Sequence, residues 1–198
     1  MMKKLLIVLV LCVFSGAFVN GNEDKKPEAF KMKPALLVID IQNYYLPMVP
    51  EREKEVAMYM INSYIELFRK YNIPIIRVYN IQPGVGPMEG TKEFEFPETV
   101  NVLPSDAKVI KNKPNAFTKT DLDKILKEKG CNTVFLCGLS SVGCVLATYF
   151  GAYDLDYSPI LLKSAIMSHN SEYTKSIEDI FGAVNQQIVT MLIASAKQ

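Results

Sequence analysis

Asp40, Lys111 and Cys144 each stand at the end of a short apolar run or just beyond one, and their side chains could do chemistry together. A thiol becomes a strong nucleophile once it loses its proton. A carboxylate beside it can take that proton and return it to a leaving group, and a nearby ammonium favours the charged forms of both. Cys144 follows the small-residue turn Gly138-Leu139-Ser140-Ser141-Val142-Gly143 and opens an apolar helix. The unpaired N–H groups of a helix N-terminus favour negative charge, so the expected thiol has a lowered pKa. The backbone N–H groups of Ser140 and Cys144 could converge beside the sulfur and hold an oxyanion during attack on a carbonyl. Tyr44, Tyr45 and Phe117 are candidate pocket walls, since small-ligand sites are largely apolar. His169 is the one histidine of the chain and reads as a loop or cap residue. A single histidine leaves no His-rich metal site, and any Cys-His or Ser-His pair would have to use His169.

Each of these residues also has a plain reading. Buried cysteine is usually packing, an Asp after a strand is often a turn residue, and a Lys at a strand end is usually solvated. Their joint placement separates the two readings, so the elements that carry them matter.

Pro34–Asp40 (PALLVID) is an apolar run ending in an acid, the pattern of a strand buried on both faces. Ile73–Tyr79, Ala107–Lys111, Thr133–Leu139 and Tyr157–Ala165 read as four further strands. Between them, Glu51–Tyr71 repeats Val56, Met60, Tyr64, Leu67, Phe68 and Tyr71 at helical spacing. A helix capped by Thr120 runs to about Lys129 and stops at Gly130. Gly143–Leu155 is an apolar helix, and Ser171–Val184 is an amphipathic one with Ser171 as its cap candidate. Gln187–Leu192 (QIVTML) fits a sixth strand or a terminal helix, with the strand favoured. Asn43–Pro50 is an aromatic loop, and Ile81–Pro104 is a long irregular excursion of a kind that is usually functional. Alternation of this kind predicts a three-layer, Rossmann-like α/β domain: a mostly parallel six-stranded sheet with helices on both faces. Active sites in such folds lie at the carboxyl ends of strands, where Asp40, Lys111 and Cys144 fall.

Residues 1–21 carry the three-part pattern of a secretory signal. Lys3 and Lys4 precede the apolar stretch Leu5–Val19, with exits at Ser15-Gly16-Ala17 or Val19-Asn20-Gly21. The stretch falls short of the roughly 20 residues that span a bilayer. The expectation is therefore an exported protein, periplasmic or secreted, without stable membrane insertion after processing; an uncleaved anchor is the alternative. Residues 22–33 form a charged lead-in, and residues 34–198 the domain. The whole chain has 198 residues and a formal net charge of +1, which offers no footprint for nucleic acid. Hydrophobic residues make up 49%, enough for a full core. Loss of the signal also removes Cys12. An odd set remains, Cys131, Cys137 and Cys144, which argues against a disulfide framework and flags a free thiol.

The motifs together resemble the isochorismatase-like cysteine hydrolases, over about Ala35 to Val184. Leu37-Val38-Ile39-Asp40-Ile41-Gln42-Asn43 is similar to the family's first-strand motif, whose Asp is catalytic. Val109-Ile110-Lys111, upstream of Asn115-Ala116-Phe117, is similar to its lysine motif, with Lys113 close enough to be a rival. Cys137-Gly138-Leu139-Ser140-Ser141-Val142-Gly143-Cys144-Val145 is similar to its nucleophile motif. The resemblance implies an Asp40–Lys111–Cys144 triad, a cis Leu139–Ser140 peptide and an oxyanion hole from Ser140 and Cys144. It also implies hydrolysis of a small amide or ureido C–N bond through a thioester, with no cofactor and no metal. Tyr44, Ser141-Val142 and Asp156 depart from the family's usual residues and weaken inference about substrate. The scarcity of histidine speaks against the metal-using nicotinamidase branch. Cys144 speaks against the branch that cleaves the vinyl ether of isochorismate. The family is often oligomeric, so a homo-oligomer is an expectation too. The rival class is a catalytically silent ligand-binding or scaffold protein on the same fold, which reactivity of Cys144 would distinguish. A thiol redox protein is disfavoured because the chain has no Cys-x-x-Cys pair.

Overall fold

The strands form from largely apolar runs, and the helices from both amphipathic and apolar ones, in the computed structural model, which describes residues 30–196. Residues 1–21, expected to be a secretory signal, and residues 22–29 of the lead-in lie outside the described residues. In chain order the elements are β1 (Pro34–Ile39), α1 (Glu51–Lys70), β2 (Ile75–Asn80), β3 (Ala107–Lys111), α2 (Leu122–Glu128), β4 (Thr133–Leu139), α3 (Cys144–Tyr153), β5 (Ser158–Met167), α4 (Ser171–Ile180) and α5 (Gln186–Ala196). A short 3-10 turn, Leu46–Met48, lies between β1 and α1.

The sheet has five strands in the order β3-β2-β1-β4-β5, and every pairing is parallel. Chain progress runs outward from β1 in one direction to β2 and β3. It then crosses back to β4 and on to β5. The carboxyl ends of β1 and β4 therefore flank the point where the order reverses, and a crevice opens there in folds of this kind.

Successive residues of β1 feed opposite layers. Leu36 and Val38 join Ile61, Tyr64, Ile65 and Phe68 of α1 and Val189 and Ile193 of α5. Leu37 and Ile39 join Leu122 and Leu126 of α2 and Val145 and Ala152 of α3. Each large apolar side chain buried in this way contributes about 1.5–3 kcal/mol. The long excursion after β2 is anchored rather than loose. Tyr79 stacks on Phe94 and Phe96, with ring centroids 4.9 and 4.2 Å away.

Three local expectations are corrected. The terminal run is a helix, not a sixth strand. Its β-branched Ile188, Val189 and Thr190 suit a strand locally, but only Val189 and Ile193, four residues apart, are buried. Asn185 caps it by accepting from the Ile188 N–H. Helix α4 is capped by Asn170, not Ser171, through the Glu172 N–H at 2.9 Å. Asp121, not Thr120, directly precedes α2, although the Thr120 hydroxyl does accept from the Leu122 N–H.

Candidate active site

β1 delivers Asp40 just past its last residue, in a left-handed conformation with φ of 52°. That region is uncommon for a residue bearing a Cβ and is tolerated best by short polar side chains. The Asp40 N–H still donates to Val78 O on β2, so the backbone turns without leaving the sheet edge. Lys111 is the last residue of β3 and pairs in register with Asn80, the last residue of β2. Its ammonium reaches across to Asp40 Oδ2 at 2.7 Å, and the side chains on both sides of this pair are almost wholly buried. Lys113 is exposed, so Lys111 is the lysine of this cluster.

Gly138 brings β4 against β1. Its φ is +116°, and a Cβ there would collide with the backbone carbonyl of Ile39, so only glycine allows this approach. The Leu139–Ser140 peptide that follows is cis. Gly143 and Val145 N–H both donate to Ser140 O, while Ser141 N–H donates to Met167 O at the end of β5. These bonds set the turn that leads into α3. Among the described residues, neither the Ser140 nor the Cys144 N–H is taken by a backbone acceptor.

The three elements bring Asp40, Ser140 and Cys144 to a cleft of about 180 Å³, which Tyr45, Met48, Val49, Asn80, Gln82, Leu139 and His169 also line. Asp40 Oδ1 is buried and, among the described residues, has no hydrogen-bond partner. The Cys144 thiol interacts with the side chains of both Asp40 and Lys111. Burial pushes the Asp40 carboxyl above its ordinary value, and the opposing pull of Lys111 offsets only part of that rise. Cys144 departs from the expectation of a lowered pKa. Burial first, and the Asp40 carboxylate second, push its thiol up to about 12, against a smaller opposing pull from Lys111. The resting sulfur is therefore protonated at neutral pH.

The remaining site expectations divide. Tyr45 lines the cleft, and its hydroxyl accepts from Asn80 Nδ2 at 2.7 Å. Tyr44 does not line it: its ring packs edge-on against Tyr45 and its hydroxyl donates to Val85 O. Phe117 does not line it either. That ring stacks on Tyr157 against the α2–α3 layer, where burial of its apolar surface places it. His169, read as a loop residue, does lie in the loop between β5 and α4, yet it lines the cleft. Asn80 lies one residue past Tyr79, where the sequence reading ends this strand, so that reading does not reach it. A polar residue closing an apolar run was the signal, the same one that marked Asp40. Met48 and Val49 left no comparable trace. Cys131, Cys137 and Cys144 are all free thiols.

A parallel sheet whose reversal point gathers a carboxylate, an ammonium and a thiol defines the class of α/β cysteine-bearing hydrolase folds. The isochorismatase domain model matches residues 34–191, and the chain belongs to the isochorismatase family. The isochorismatase family protein YddQ of Bacillus subtilis, itself uncharacterized, is 33% identical over 137 residues, 64% of this chain and 73% of that protein. An isochorismatase-like hydrolase from Alkaliphilus metalliredigens superposes with a TM-score of 0.70 at 25% identity, covering 82% of this chain and 98% of that one. The N-carbamoylsarcosine amidase of Thermoplasma acidophilum superposes with a TM-score of 0.66 at 26% identity, covering 78% and 95%. The protein is thus an isochorismatase-family hydrolase with a relative that acts on an amide.

Proposed function

We propose that this protein hydrolyses the C–N bond of a small amide or ureido compound through a thioester on Cys144. The observation that carries the reading is the buried Asp40 carboxylate, held by Lys111 through Oδ2 and in contact with the Cys144 thiol, with Oδ1 left without another partner among the described residues. A resting thiol with a pKa near 12 needs a base at the moment of attack. Asp40 is that base. As Cys144 Sγ bonds to the substrate carbonyl carbon, its proton moves to Asp40 Oδ1 and the carbonyl π electrons move onto oxygen. The Ser140 and Cys144 N–H groups meet the oxyanion. The C–N bond then breaks as Asp40 passes its proton to the departing nitrogen. A water gives a proton to Asp40 and attacks the thioester carbonyl. The C–S bond breaks, the acid product leaves and the proton returns to sulfur. Lys111 lowers the Asp40 carboxyl against the larger rise that burial causes, and fixes its direction.

The amidase among the relatives supports this reading over other hydrolyses. The test is ammonia release from a panel of small primary amides and ureido acids. Wild type should release ammonia from at least one, and Cys144→Ala from none. Equal release by Cys144→Ala would remove the reading, and silence of both across the panel would favour a ligand-binding protein on this fold. We infer also that residues 1–21 direct export. Expression in the source cell should then yield a mature N-terminus near Asn22, whereas an intact Met1 on a membrane-bound chain would favour an anchor.

A further inference from the structure

The polarity of the hydrogen bonds behind the cleft is fixed from one end. Lys111 can only donate, and it donates to Asp40 Oδ2 and, at 3.4 Å, to Asn80 Oδ1. A flipped Asn80 amide would set its NH2 against the ammonium. The carboxamide oxygen therefore faces Lys111, and Nδ2 faces Tyr45. Asn80 is further held by its own backbone, since Gln42 donates to Asn80 O and accepts from Asn80 N–H. Nδ2 donates to the Tyr45 oxygen at 2.7 Å. Among the described residues the phenol receives this hydrogen bond and donates none, and Tyr45 lines the cleft, so its proton is free for a ligand there. Burial pushes the Tyr45 phenol above its ordinary value, which keeps that proton in place.

The strand order places this donor. Asn80 ends β2, Asp40 ends β1, and Ser140 follows β4, three neighbours in the sheet. Adjacent strands lie about 4.8 Å apart, so Tyr45 works on the β2 side of Asp40 and the oxyanion donors on the β4 side. We propose that Tyr45 is the cleft's substrate-recognition donor, and that the substrate carries a second hydrogen-bond acceptor, an uncharged oxygen or sp2 nitrogen, besides the carbonyl attacked by Cys144. This deepens the amidase reading and rests on it for the orientation of the substrate.

The test measures binding rather than turnover. Dissociation constants of two matched pairs, methoxyacetamide against butyramide and nicotinamide against benzamide, are read by ligand-observed NMR on the full chain carrying Cys144→Ala. Within each pair the members differ by one acceptor atom. The acceptor-bearing member of at least one pair should bind about tenfold more tightly, the effect of one hydrogen bond in a partly dry site. Adding Tyr45→Phe should make the two members equal. Adding Asn80→Asp should do the same with Tyr45 intact, because a carboxylate draws the phenol proton away from the cleft. No difference in either pair, a difference that survives Tyr45→Phe, or no binding of either pair would overturn the inference. A preference without ammonia release in wild type would leave Tyr45 as the donor and remove the amidase reading. Ammonia release without a preference would do the reverse.

Discussion

Asp40 has two carboxylate oxygens, and only Oδ2 is engaged, by Lys111. The carboxylate lies against a thiol that burial and this same charge keep protonated. The thiol is thus no preformed thiolate at a helix N-terminus: burial and the negative charge beside the sulfur outweigh the ammonium. The departure has a measurable sign. In Asp40→Asn the raising charge is gone and Lys111 remains, so the thiol should ionise at lower pH than in wild type. Alkylation by iodoacetamide at pH 8 should then be faster in the variant, while ammonia release falls by about 100-fold or more for want of a base. Slower alkylation, or retained turnover, would contradict the placement of Asp40. Asp40, Lys111 and Cys144 were legible from sequence because a single rule, chemistry at strand ends, applied to all three. Tyr44 and Phe117 were not, because an aromatic ring's direction is decided by the neighbours it packs against, and no spacing rule encodes those.

The elements carry the site through one close contact. Gly138 lets β4 lie against the Ile39 carbonyl, and Ser140 and Cys144 follow within a turn. Gly138→Ala combines a left-handed backbone with a backbone collision. It should lower stability by about 3 kcal/mol or more and abolish turnover, read by urea unfolding and ammonia release. A variant with wild-type stability would mean that the strands are not held this closely. All five strands were legible, the inner ones as largely apolar runs, since a sheet covered on both faces favours hydrophobic strands, while the edge strand β3 carries Lys108 and Lys111. The same rule misled at Gln187–Leu192. An apolar β-branched run can be a strand or a helix packed on one face, and only tertiary burial at Val189 and Ile193 distinguishes them. Capping residues moved by one position for a related reason. Thr120, Asp121, Asn170 and Ser171 are all competent caps, and the chain's path chooses among them.

Across the whole molecule, the reversal of strand order gathers residues from positions 40 to 144 into one buried cluster, and that burial leaves a signature in stability. The unfolded Cys144 thiol ionises near its ordinary value of 9, whereas the folded one ionises near 12. Its neutral form favours the folded state, so this contribution is fully present below pH 9 and is lost as pH rises toward 12. Cys137 is also raised by burial and adds to the same decline. Plotted against pH between 9 and 11, the unfolding free energy of Cys144→Ala should fall less steeply than that of wild type, by up to about 1.4 kcal/mol per pH unit. Identical slopes would mean a solvated sulfur. The central claim is covalent, and intact-protein mass spectrometry reads it most directly. Wild type mixed with a turned-over amide and quenched in acid within the first turnovers should carry the mass of the acyl group, located on Cys144 by peptide mapping. Rapid turnover with the acyl group on no residue, or on a residue other than Cys144, would contradict the account.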